Sequence, residues 1–163
     1  MTPETLAYTA GLIDGEGNIG VQGIKPAGHH KRPNHYLVVR ISMCDLPIIE
    51  WLHDTFGGFV TTRTNHPSRQ NNNRRPQWAW AIYSSDAQIF LEQVLPYLQV
   101  KRRQAELAIE FQTFTSAHPM HWKKNRTAEI VNRKDEYRHQ ISQLNLNRGA
   151  LVELHHDYLH PSF

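Results

Sequence analysis

The stretch "TAGLIDGEG", residues 9–17, decides how this chain is read. With the preceding "TLAY" it sets Ala7, Gly11 and Gly15 at four-residue spacing and puts Asp14 and Glu16 at the end of a helix. Glycine inside a helix costs roughly 1 kcal/mol against alanine, and acids at a helix C-terminus oppose its dipole. Such costs need a reason. Residues four apart share a helix face, so Ala7, Gly11 and Gly15 form a ridge almost without side-chain bulk. Two such ridges can approach backbone to backbone, a steric argument made for membrane helices that holds for a soluble pair as well. A crossing at this place brings carboxylates together, and like charges at close range demand a cation. A hard divalent ion such as magnesium, held by a carboxylate and an adjacent backbone carbonyl, meets that demand.

Outward from the motif, Thr2-Pro3 predicts an N-cap and first turn for a helix running to about Asp14, ending in a glycine-rich turn. From Asn18 the pattern alternates, with Ile19 and Val21 on one parity and Gly20, Gln22 and Ile24 on the other, then "KPAGHHKRPN" reads as a polar hairpin loop. The second strand, "NHYLVVRIS", sends Leu37, Val39 and Ile41 to a packed side and Asn34, Tyr36, Val38 and Arg40 to the opposite, reading side. Asp45 caps a helix containing Leu46, Ile48, Ile49 and Leu52, which closes at Gly57-Gly58. Two further strands follow, "FVTTRT" and "QWAWAIYS", and Ser84 or Ser85 caps the next helix. Trp78 and Trp80 share one parity of the fourth strand, and the pattern alone leaves open whether they are core or reading-face residues. The remainder is helical: "VKRRQAELAIEFQTF" is one segment, and Ile130, Tyr137, Ile141 and Leu144 form an apolar stripe on another.

The 163 residues suit one domain of ordinary globular composition. No leader-like segment and no run of about 18 apolar residues occurs, which predicts an intracellular chain without a membrane partner. The single cysteine, Cys44, permits no internal disulfide and fits a reducing compartment. The formal net charge is only +3, but residues 22–78 hold eight cations against three acids, and the tracts 22–44 and 55–78 hold no acid at all. Cations clustered on strand and loop segments predict a surface for a polyanion. The histidine-rich "HHDYLH" at 155–160 has two histidines at helical spacing and no third ligand, so it reads as surface tail and not as a zinc site.

The motif, the α-β-β-α-β-β-α order and the basic strands together resemble the LAGLIDADG homing endonucleases, in particular the single-motif homodimeric branch. The resemblance covers about residues 3–114, with 115–163 a helical tail of the same domain. It implies an α+β fold with a four-stranded antiparallel sheet that lies in a DNA major groove, C-terminal helices, and paired motif helices at a two-fold axis. It further implies a site-specific double-strand endonuclease that cleaves a long near-palindromic target with Mg2+, in a site that Mn2+ or Ca2+ also suits, and without a small-molecule substrate. Glu16, in the motif's eighth position, would hold the metal with the Gly15 carbonyl. "PYLQVKRRQAEL" looks like the segment that supplies a catalytic lysine, here Lys101, with a phosphate-facing role.

Ala7, Ala10, Gly11, Asp14 and Gly15 are then the expected dimer contacts, although Asp14 also reads as a cap for a partner helix or a local backbone group. The expected DNA contacts are Gln22, Ile24, Asn34, Tyr36, Val38 and Arg40 on the first two strands, and Thr61, Arg63 and Gln77 on the others. The loops add Lys25, Lys31, Arg32, Arg69, Arg74 and Arg75. The chain departs from the family where a glutamine often follows strand two: Met43 and Cys44 stand there, and no Lys or Arg occurs between Arg40 and Arg63. Two other functions suit the same surface, an intron-RNA-binding maturase and a catalytically silent DNA-binding protein.

Overall fold

The computed structural model describes residues 1–24, 34–63, 76–119 and 127–146. Helix α1 (Pro3–Glu16) starts as expected, with the Thr5 N–H donating to the Thr2 hydroxyl at 3.3 Å and proline in the first turn. It runs two residues further than the sequence suggests. No glycine-rich turn follows: Gly15 is helical, and Gly17 passes straight into β1 (Gly17–Ile24) while its N–H donates to the Ile13 carbonyl. A Cβ at Gly17 would stand 2.7 Å from both the Cα and the carbonyl oxygen of Ile13, so the helix-to-strand junction is closed to a side chain.

Strand β2 (Asn34–Met43) pairs antiparallel with β1, and helix α2 (Leu46–Phe56) follows with its Ile48 N–H donating to the Asp45 carboxylate. Gly57 and Gly58 take φ of 71° and 85°, conformations that favour glycine, and turn the chain into β3 (Phe59–Arg63). Strand β4 (Gln77–Tyr83) inserts between β2 and β3, giving the antiparallel order β1-β2-β4-β3. Helix α3 (Ser84–Val94) has no side-chain cap: Tyr83 occupies the cap position, so the expected cap by Ser84 or Ser85 is corrected, and Ser84 itself sits at φ 50°. A single 3-10 turn, Leu95–Tyr97, leads to α4 (Arg102–Ala117). Helix α5 (Ala128–Leu146) completes the described chain.

Alternation along the strands holds. Ile19, Val21, Leu37, Val39, Ile41, Trp80 and Ile82 are buried in one cluster with Ile13, Ile49, Leu52, Phe90, Leu91 and Phe111 from the helices. Trp80 is thereby settled as core, donating its indole N–H to the Gly57 carbonyl at 2.7 Å, and Trp78 lies half-buried on the same side. The tail is less peripheral than a tail, for Tyr137 and Ile141 of α5 belong to that core. The Asn145 side chain donates to the Ile19 carbonyl at 2.9 Å on the edge strand β1, and His35 Nε2 lies 2.9 Å from an Asp135 carboxylate oxygen. Among the described residues no helix is long and apolar enough to cross a membrane.

Candidate active site and nucleic-acid interface

At its C-terminal end α1 meets the start of α4 through two reciprocal contacts. The Asp14 carboxylate accepts the backbone N–H groups of Gln99 (2.8 Å), Val100 (3.2 Å) and Lys101 (2.9 Å). In return the Lys101 ammonium donates to the carbonyls of Ile13 and, at 2.9 Å, of Asp14. An anion thus stands at the N-terminus of α4 and a cation at the C-terminus of α1, each favourable toward the dipole it meets. The acid that opposes its own helix is therefore compensated by the next one. Lys101 is wholly buried. A surface lysine facing a phosphate does not describe it in the single chain: its charge is turned inward, onto the helix end that carries Gly15 and Glu16.

Glu16 is exposed, and its carboxylate makes no hydrogen bond or ion pair among the described residues. A hard oxygen donor left open beside a helix end fits a divalent cation. Yet no three His, Cys, Asp or Glu side chains of the described residues lie close enough together to hold one. Asp14 is already occupied by three N–H groups, so one chain offers one carboxylate and helix-end carbonyls such as that of Gly15. The donor set fits half of a metal site.

The ridge is open. Ala7, Gly11 and Gly15 are exposed, and a Cβ built on Gly11 or Gly15 would meet nothing within 4 Å. Two of the expected contacts fall away from it: Ala10 is buried in the chain's own core, and the Asp14 side chain turns to the α4 backbone. Tyr8, half exposed beside the ridge, packs edge-on against Trp51 at 5.4 Å.

The sheet face opposite the helices carries the second set of residues. Register aligns Asn18, Arg40, Ala81 and Phe59 in one row across the four strands, and Gly20, Val38 and Tyr83 in the next. Gln22 stands directly opposite Tyr36, whose hydroxyl donates to its side-chain oxygen at 2.8 Å and so holds the amide in place. Thr61 and Gln77 are exposed on this face, as expected, and Arg40 is half-buried, its guanidinium making no hydrogen bond or ion pair among the described residues. Val38 has the expected parity but is only 1% exposed, flanked by Tyr36 and Tyr83, so it is corrected from contact to floor. Gly20, Ala79 and Ala81 add further small residues to that floor. Of Ile24, Asn34 and Arg63 only the backbone is described, in its expected strands, and Lys25, Lys31, Arg32, Arg69, Arg74, Arg75 and the histidine-rich tail lie outside the described residues. Phe59, Tyr83, Asn18 and Ser42 also occupy this face and were not singled out by the sequence; strand register would have found them.

No family model matches the chain, and no curated protein is similar to it in sequence. Solved structures resemble it in fold. The homing endonuclease I-CvuI, in complex with DNA in the presence of Mg, superposes with a TM-score of 0.67 at 18% identity, over 86% of this chain and 82% of that one. The archaeal intron-encoded homing endonuclease I-Vdi141I, complexed with DNA, gives a TM-score of 0.66 at 14% identity, over 86% and 84% of the two chains. The fold is that of the LAGLIDADG homing endonucleases. The LAGLIDADG homing endonuclease I-GzeII matches 97% of this chain with only 50% of its own length, at a TM-score of 0.63 and 16% identity. In this LAGLIDADG fold the nine-residue motif occupies the last two turns of α1 and the first residue of β1. A cleft of about 850 Å³ between α4 and α5, lined by residues such as Phe114, His118, Ile130 and Arg133, takes nothing from the motif or from the outward sheet face.

Proposed function

We propose that this protein is a site-specific double-strand DNA endonuclease that works as a homodimer with a divalent metal. The observation that carries the reading is the half-built site at the end of α1: an open Glu16 carboxylate, a buried Lys101 ammonium on the same helix end, and a bare glycine ridge beside them. A second copy crossing on that ridge would supply the second carboxylate that a divalent cation needs. A longer relative of which this chain spans half supports the same arithmetic, two such units per enzyme.

When bound, a divalent cation would supply water activation and charge stabilisation for phosphodiester hydrolysis. Glu16 would hold it with the Gly15 carbonyl, while Lys101, fixed by its two carbonyl contacts, supports negative charge developing near the helix end. The basic loops and strands hold the phosphate backbone, and the outward sheet face reads base edges in the major groove. Likeness to DNA-bound endonucleases favours cleavage over the maturase and silent-binder readings.

The deciding experiment incubates the purified chain with a randomised duplex library and Mg2+ and sequences the cleaved ends. A recurrent near-palindromic cut site is expected. Glu16→Gln, which keeps volume and removes the charge, should abolish cleavage and keep specific binding; near wild-type cutting by that variant would sink the metal assignment.

A further inference from the structure

The outward sheet face holds one residue that its composition does not explain. Phe59 is 65% exposed, more than any other large apolar strand residue whose side chain is described. Its direction is fixed from both sides. It follows Gly58, whose φ of 85° and close approach to the Ala81 carbonyl pin the start of β3, and its ring rests on that of Tyr83 with centroids 5.9 Å apart. Opposite it stands Ala81, which leaves the ring standing above the floor. Tyr83 in turn touches Tyr36 at 6.0 Å, so Phe59 ends an aromatic line that crosses the sheet from Gln22.

A phosphate surface has no use for a bare phenyl ring, since an uncharged apolar group gains nothing from a polyanion. A major groove does offer one apolar feature, the C5 methyl group of thymine. Resting on the DNA-binding reading above, we infer that Phe59 is a specificity-determining residue that reads one thymine through its methyl group. Arg40 lies in the same cross-sheet row two strands away, roughly 10 Å at the usual strand spacing. That exceeds the base step of about 3.4 Å, so the two residues reach different bases.

The test begins with binding selection by the full chain on a randomised duplex library. Wild type should enrich thymine at one symmetric pair of positions, and replacing each with deoxyuridine, which lacks only the methyl, should weaken binding about fourfold per half-site and roughly sixteenfold for both. Phe59→Ala should lose both the thymine preference and the deoxyuridine penalty, and Phe59→Leu, still apolar, should keep them. A Phe59→Ala variant that retains both, or a wild type with no deoxyuridine-sensitive position, overturns the inference alone. Failure of the wild type to enrich any site removes the DNA-binding reading beneath it, before any variant is compared.

Discussion

Gly17→Ala should separate the needs of the fold from those of the dimer ridge. Alanine tolerates the φ of −77° found there, and by reducing unfolded-chain entropy such a change alone stabilises by about 0.4–1 kcal/mol. Against this, the new methyl would stand 2.7 Å from two backbone atoms of Ile13, which is itself buried and bonded to Lys101. Overpacking against groups that cannot yield costs about 1–3 kcal/mol, which leaves a net loss of roughly 1–2 kcal/mol. For a chain of this size that lowers Tm by about 2–8 °C. Urea and thermal unfolding of Gly17→Ala beside Gly15→Ala make the comparison: a methyl at position 15 meets open space, so that variant should match or exceed wild-type stability by up to about 1 kcal/mol. The same displacement at Gly17 shifts Glu16 and Asn18 together, so cleavage should fall more than DNA affinity. Equal stability of Gly17→Ala and wild type would refute the steric account of the junction.

Gly11→Leu should leave the monomer folded, since nothing lies within 4 Å of its Cβ, and weaken self-association at least about tenfold by sedimentation; an unchanged dimer would move the interface elsewhere. Arg40→Ala should relax base preference at one position in each half-site more than it changes the salt slope, as binding selection would register; uniform weakening with an unaltered profile makes Arg40 a phosphate anchor. Burial holds the Lys134 ammonium below the usual lysine range. Between that lowered value and the ordinary one the unfolded chain binds more protons, so stability should rise with pH across that window. Lys134→Met, which also gives up the ammonium's hydrogen bond to the His118 carbonyl, should flatten that rise; chemical unfolding at several pH values reads it.

Local signals carried the elements. The Thr2 and Asp45 caps, the Gly57-Gly58 stop and the period-two set Leu37, Val39 and Ile41 each arise from residues within a few positions of one another, so the sequence displays them directly. What distant contacts decide stayed hidden. Lys101 opens a "KRR" run that any charge pattern assigns to solvent, and the carbonyls of α1 that receive its buried ammonium lie some 87 residues earlier in the chain. Asp14 was ambiguous between caps because its donors come from residues 99–101. The side taken by Trp80 depended on the Gly57 carbonyl and on Phe90, and the place of α5 depended on His35 meeting Asp135. Ser84 failed as a cap because strand β4 runs into α3 without an intervening residue, leaving Tyr83 at the cap.

The clasp between Asp14 and the backbone of residues 99–101 has a consequence for the order in which the chain assembles. Its hydrogen bonds join groups 85 to 87 positions apart, and the Asn145 contact to Ile19 spans 126. Closing loops of such length is slow compared with forming helices and hairpins, so both contacts belong to the late stages of folding. During synthesis at about 5–20 residues per second, the motif helix is complete several seconds before the lysine that completes its end exists. A nascent chain therefore carries the Glu16 carboxylate without the inward-turned Lys101 cation that accompanies it in the finished fold. The end of the motif helix is completed only once the first hundred residues have closed on themselves.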